Sequence, residues 1–220
     1  MERERFLAAV AANVTAGVLP APPPITTGPP SLPDVDLIET FCTRLGVIGG
    51  HAHRCAIGEA VRQILDLLGE HAATAVLAWD DLPVPRLASL LQESGVELLA
   101  SSMPADRGER AAHLGGYLGL AAGLTGADAG LAESGSVVLS HGPGRPRLAS
   151  LAPEVHIALL PASRIVRSLA HFLAADPVVV ARTANLVVIT GPSRTADIEQ
   201  RLTIGVHGPR HIHVVVLDDA

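Results

Sequence analysis
Apolar positions along this chain recur in two alternating rhythms. Short buried runs appear as TAVLAW (Thr74–Trp79), VELLA (Val96–Ala100), the small-residue run Leu118–Leu124, ESGSVVLS (Glu133–Ser140), VHIALLP (Val155–Pro161), ANLVVIT (Ala184–Thr190) and HIHVVVLD (His211–Asp218). Each has the length of a strand covered on both faces, and most are rich in β-branched residues. Between them, apolar residues recur at helical spacing. That pattern predicts helices from Asp34 or Asp36 to about Leu45, and over Gly58–Leu68, Val84–Ser94, Ala105–Gly115, Ser163–Ala174 and Ser193–Leu202. Strands alternating with helices predict an α/β fold: a mainly parallel sheet covered on both faces, a three-layer α/β/α sandwich. Ligands of such sheets bind beyond the carboxyl ends of strands. An amphipathic helix opens the chain. The proline-dense segment Leu19–Pro33 then reads as an extended connector, because proline lacks an N–H and fixes φ. The expected organisation is a helix and arm over 1–33 and an α/β domain over 34–220.

Composition narrows the function. The formal charge is −6, so the chain as a whole does not attract nucleic acid or anionic lipid. No apolar stretch approaches the length of a membrane span. All 16 basic residues are arginine, which excludes a lysine Schiff base and the lysine of a P-loop. Cys42 and Cys55 cannot fill a four-cysteine cluster or zinc site, and they suit free thiols in a reducing cytoplasm. No GxGxxG dinucleotide fingerprint and no GxSxG elbow occur. The expectation is no cofactor and no metal bound by this chain.

Three segments could carry chemistry. In LVVITGPSRTADIEQ, a strand runs into Gly191, Ser193, Arg194 and Thr195 at a predicted helix start. Free N–H groups there and a planar guanidinium suit a carboxylate or phosphate. The same residues would equally make an ordinary capped helix. In GLTGADAGLAESGSVVLS, Asp128, Glu133 and Ser134 flank a glycine-rich strand entry. A tuned Glu133 could act as base or nucleophile, and either carboxylate could instead bind loop amides. Histidine is the third signal. His51/His53 and His211/His213 have strand spacing that puts each pair on one face and could share a metal, though hydrogen-bonded histidines are the commoner outcome. His207 and His141 each precede Gly-Pro, marking turns at a cleft rim.

GADAGLAESGSVVL, GRPRLASLAPEVHIALLPASRIV and GPSRTADIE followed by GVHGPRHIHVVVLD together resemble the lactate utilisation protein C family, the LUD domain. The resemblance is strong from about Gly123 to Asp218. It implies a NagB/RpiA/CoA-transferase-like fold and a bacterial, cytoplasmic role in oxidising L-lactate to pyruvate. It also implies partner subunits that carry the iron–sulfur clusters, this chain being the small non-redox member. Ser134 and Ser136 stand where AETGT is commoner in the family, and both keep a hydroxyl. Two readings follow. One is an accessory subunit binding a small carboxylate or phosphorylated ligand or the iron–sulfur subunits, with homo-oligomerisation left open. Gly191, Ser193, Arg194 and Thr195 would then hold the anion, facing Asp128, Glu133 and Ser134, with His207 at the rim. The other is a stand-alone enzyme of the CoA-transferase or sugar-phosphate isomerase type that uses Glu133.

Overall fold
The alternation of apolar residues along the strands serves two faces of one sheet. The computed structural model describes residues 2–16, 36–99, 106–116, 121–196, 202–204 and 208–218. The chain divides into two units, 1–33 and 34–220. The first holds helix α1 (Glu2–Ala16), on which Phe6, Leu7 and Val10 are exposed. The proline-dense segment lies outside the described residues.

In the second unit the elements run in the following order. First come α2 (Leu37–Val47), β1 (His51–Ala56), α3 (Ala60–Glu70), β2 (Ala75–Ala78), α4 (Leu87–Glu93), β3 (Glu97–Leu99), α5 (Arg107–Gly116) and β4 (Ala121–Gly126). Next are β5 (Ala129–Leu131), β6 (Ser136–His141), β7 (Val155–Pro161), β8 (Ile165–Val166), α6 (Leu169–Ala175) and α7 (Val179–Arg182). The last are β9 (Asn185–Ile189), β10 (Arg194–Ala196), β11 (Leu202–Ile204) and β12 (His211–Asp218). Six strands form the main sheet in the order β1-β12-β7-β4-β2-β3, all pairs parallel. A second sheet, β8-β5-β6-β9, is mostly antiparallel.

Period-2 alternation divides the core. Val76, Leu124, Ile157, Leu159, Val215 and Leu217 face α3 and α4. Leu77, Ala158, Leu160, Val214 and Val216 face α2 and part of the small sheet. Helices therefore cover both faces, as the apolar runs require. Asp36 is the cap of α2: its carboxylate accepts from the N–H groups of Ile38 and Glu39 at 2.9 and 3.0 Å. Phe41 and Leu45 are the buried side of that helix.

Four elements differ from expectation. β1 was not expected, because HAHRCA buries only Cys55; it is an edge strand, where exposure is tolerated. Ser163 caps no long helix. Ala162–Arg164 is a 3₁₀ turn, Ile165 pairs with Gly130, and α6 starts after Ser168. The β-branched pair Ile165-Val166 finds a strand partner that sequence does not display. Ser193 starts no helix either: Arg194–Ala196 is a strand paired with Leu202–Ile204, and residues 197–201 lie outside the described set. Finally, Glu133–Ser140 is not a strand of the main sheet. Glu133 and Ser134 form the turn of the β5–β6 hairpin.

Candidate functional site
The order of the main sheet creates one reversal. From β2 the chain moves outward to β3, while from β4 it moves the other way to β7 and β12. A crevice opens where neighbouring strands diverge in this manner, beyond their carboxyl ends. A cavity of about 190 Å³ lies there, lined among others by Trp79, Asp81, Gly126, Asp128, Arg145 and Arg164. The turn Gly142–Arg145 delivers Arg145 into it. Its guanidinium donates from Nη1 to Asp128 Oδ1 at 3.0 Å and to Ser140 Oγ at 3.0 Å, and from Nε to both Asp81 oxygens. It also lies over the Trp79 ring, 5.1 Å from the centroid. The hydrogen bond to Asp81 foremost holds the Arg145 pKa above its ordinary value. Arg145 is thus committed to the protein. Arg164 spends Nη1 on the Ala127 carbonyl. Among the described residues, two arginines and two aspartates balance in this crevice, which suits a structural ion-pair network better than an anion site.

A second cavity, of about 260 Å³, has the opposite balance. Arg147, Ser150, Thr190, Gly191, Ser193 and Ile212 line it, and among the described residues no Asp or Glu does. No salt bridge joins Arg147 to a carboxylate among the described residues. The 3₁₀ turn Arg147–Ser150 is pressed onto the sheet at Gly123, where a Cβ would stand 1.6 Å from the Ala149 carbonyl oxygen. Only glycine lets the turn approach so closely. Behind Ser150 lies His141, buried and edge-on to Trp79. Its Nε2 is 3.5 Å from Ser150 Oγ, and burial, then the charge of Arg147, push its pKa down. His141 Nδ1 has no partner among the described residues.

The residues singled out in the sequence fall into two separate places. Gly191 and Ser193 line the second cavity. Gly191 has φ +80°, and Ser193 is held by its N–H to the Pro209 carbonyl. Ser134 approaches through hydroxyls: Ser136 Oγ lies 2.8 Å from Ser134 Oγ and 2.9 Å from Thr190 Oγ1. Arg194 lines neither cavity; its Nη2 donates to the Ile48 carbonyl at 2.6 Å. The Glu133 carboxylate is exposed on its turn and lines neither cavity. Asp128 belongs to the first crevice, where Oδ2 also accepts from the Ser140 N–H at 2.5 Å. His207 and the Thr195 side chain lie outside the described residues. Sequence reasoning did not single out Arg147, Ser150 or Thr190. The signal existed for two of them, since Arg147 and Ser150 sit in GRPRLASLAPEV, but nothing in its spacing shows which arginine stays unpaired.

Among the described residues no three His, Cys, Asp or Glu are arranged to hold a metal ion, and no helix is long and apolar enough to cross a membrane.

Comparison with known proteins places this architecture. A Lactate utilization protein C from Halalkalibacterium halodurans is 33% identical over 196 residues, spanning 84% of this chain and 79% of that protein. Another from Macrococcus caseolyticus is 34% identical over 168 residues, 74% of this chain and 68% of that protein. The crystal structure of a DUF162 family protein from Deinococcus radiodurans shares the fold, with a TM-score of 0.60 and 22% identity over 82% of this chain and 96% of that one. The LUD domain model matches residues 38–217, nearly all of the second unit, and the chain belongs to the LUD domain family.

Proposed function
We propose that this chain is a non-redox component of lactate utilisation, and that it binds a small carboxylate in the cavity beside Arg147. The relatives named for lactate utilisation support the pathway. One observation carries the site: among the described residues its lining has Arg147, three hydroxyl-bearing residues and no carboxylate. A guanidinium without an acidic partner matches the fork of a carboxylate. Ser150, Thr190 and Ser193 offer hydroxyls to a second oxygen, such as the 2-hydroxyl of lactate or the keto group of pyruvate. The volume of about 260 Å³ falls below the roughly 300–1,000 Å³ of sites for drug-sized ligands, which favours a small acid. Cys42 and Cys55 are too few to hold a four-cysteine cluster. Oxidation of lactate therefore falls to iron–sulfur partner subunits in this proposal, with this chain supplying ligand capture or docking.

The test is growth on L-lactate as sole carbon source. The gene is deleted in its native host and re-supplied as wild type or as Arg147→Ala. Deletion is expected to abolish growth, wild type to restore it, and Arg147→Ala to fail although the variant folds. Normal growth of the deletion strain, with no second copy of the gene, refutes the pathway. Full rescue by Arg147→Ala refutes the site.

A further inference from the structure
Five of the ten histidines meet at one place, on the face of β12 turned away from the cavity beside Arg147. Parallel pairing sets His51 opposite His213, and the two-residue spacing puts His51, His53, His211 and His213 on a common face. His71, the residue that ends α3, closes over them. His53 Nε2 lies 3.0 Å from His213 Nδ1, and His71 Nε2 lies 2.8 Å from His213 Nε2. The His51 ring stacks on His213 at 5.2 Å, and the His211 ring lies 4.6 Å from that of His71. His213 is buried at the centre.

Counting protons on the chain His53–His213–His71 gives its behaviour. Its two hydrogen bonds involve four ring nitrogens, so two of the four must carry hydrogen. Three neutral rings satisfy both bonds when their tautomers align so that each ring donates to the next, in either direction along the chain. One additional proton is also accommodated: if any single ring becomes imidazolium, the other two can turn their lone pairs to suit. A second additional proton is not. Whichever two rings are charged, at least one contact then faces N–H against N–H, and where His213 is one of the two, adjacent cations also stand within hydrogen-bonding distance.

We infer that this imidazole chain is a proton-operated latch, which holds the end of α3 to the first residues of β12 when neutral and releases it when doubly protonated. The other groups facing it relieve the charge only in part. β7 offers Val155 and Ile157 opposite His211 and His213, His51 and His211 would add positive charge, and Glu70 on α3 is the one carboxylate acting on His53 and His71. Burial first, then the neighbouring rings, pushes His213 down to about 3, and burial likewise lowers His53 and His71. Folded values below the unfolded ones mean that the open form takes up protons more readily than the closed one, so the stabilisation by the latch is complete above about pH 6.5 and is lost progressively as pH falls from there. Its position gives it a consequence. Ile212, between two of these histidines, lines the cavity from the other face of β12, as do Gly208 and Pro209 just before it. Release of the latch loosens that wall. This consequence rests on the cavity being the ligand site; the latch does not.

Amide hydrogen exchange of the full-length, unliganded protein tests the latch, so the result is independent of whether lactate binds. Protection factors are corrected for the intrinsic pH dependence of exchange and compared at about pH 7.5 and about pH 5. The reporters are the N–H groups of His71 and Ala73, which donate to Leu67 and Leu68, and those of β12; the N–H groups of Ser94 and Val96 at the end of α4 are the reference. Relative to the reference, protection at the α3 end and the start of β12 is expected to drop by up to roughly tenfold in acid, the loss of one hydrogen bond between neutral groups. In His71→Gln, which keeps a partner for His213 but takes up no proton, the drop is expected to be much smaller. Unchanged relative protection in the wild type, or the same drop in His71→Gln, overturns the inference. Should His71→Gln fold poorly, His213→Leu, an apolar replacement at a buried position, provides the same comparison.

Discussion
Acid should unfold this protein partly through one histidine, and the size of its share follows from where it sits. His156 on β7 is fully buried. Its Nε2 is 2.9 Å from Thr125 Oγ1, and its Nδ1 has no partner among the described residues. Burial, and after it the charge of His141, lowers its pKa from 6.5 to about 4. The unfolded chain therefore takes up this proton first as pH falls. The stabilisation is complete above about pH 6.5 and is lost progressively toward pH 4. At about 1.4 kcal/mol per pH unit, that interval is worth about 3 kcal/mol. The perturbation is His156→Gln, which retains a hydrogen-bonding atom for Thr125 and removes the titration. Urea unfolding of both proteins at several pH values between 7.5 and 4.5 gives the two stability curves. Buried histidines other than His141 contribute equally to both, so the difference reports His156 together with its coupling to His141. The wild-type curve is expected to fall more steeply than the variant's, by up to about 1.4 kcal/mol per pH unit near the acid end. Parallel curves would refute the reasoning, because they would mean that His156 is no harder to protonate folded than unfolded.

Other outcomes follow from single contacts. Gly135 has φ +68°, and a Cβ there would lie 2.3 Å from the Leu45 backbone nitrogen. Gly135→Ala should cost more than about 2 kcal/mol, read as a lower thermal midpoint, since strain at positive φ adds to a backbone overlap on α2. Asp128→Ala leaves the Ser140 N–H without its acceptor and removes the carboxylate partner of Arg145 Nη1, which keeps only Ser140 Oγ. A loss of about 2 kcal/mol is expected in chemical denaturation, with growth on lactate retained if the crevice is structural. Arg194→Ala should lower stability by about 1 kcal/mol through its bond to Ile48 and leave L-lactate affinity unchanged by calorimetry, whereas Arg147→Ala should do the reverse. Equal loss of affinity in both would return Arg194 to the ligand site.

The layering of this protein was legible in its sequence because burial on both faces leaves a mark on every residue of a strand. VHIALLP and HIHVVVLD could hardly be anything but central strands, and they are neighbours in the sheet. Asp36 could be read as a helix cap because capping depends on two or three adjacent residues. The family motifs were likewise visible, and one of them contains Arg145 and Arg147, though neither was singled out from it. Pairing decided the rest. HAHRCA became a strand because β12 presented an open edge, and Ile165-Val166 left the helical pattern because β5 did. The same applies to function. Sequence alone makes Arg145 and Arg147 equivalent, two residues apart in one loop. Only the fold brings Asp81 and Asp128, 47 residues apart in the chain, onto the first and leaves the second beside hydroxyls. Nor does a list of ten histidines show that five of them converge. Local rules fix caps and periodicity over a few residues, whereas charge balance in a cavity is a sum over groups that only chain folding brings within a few ångströms.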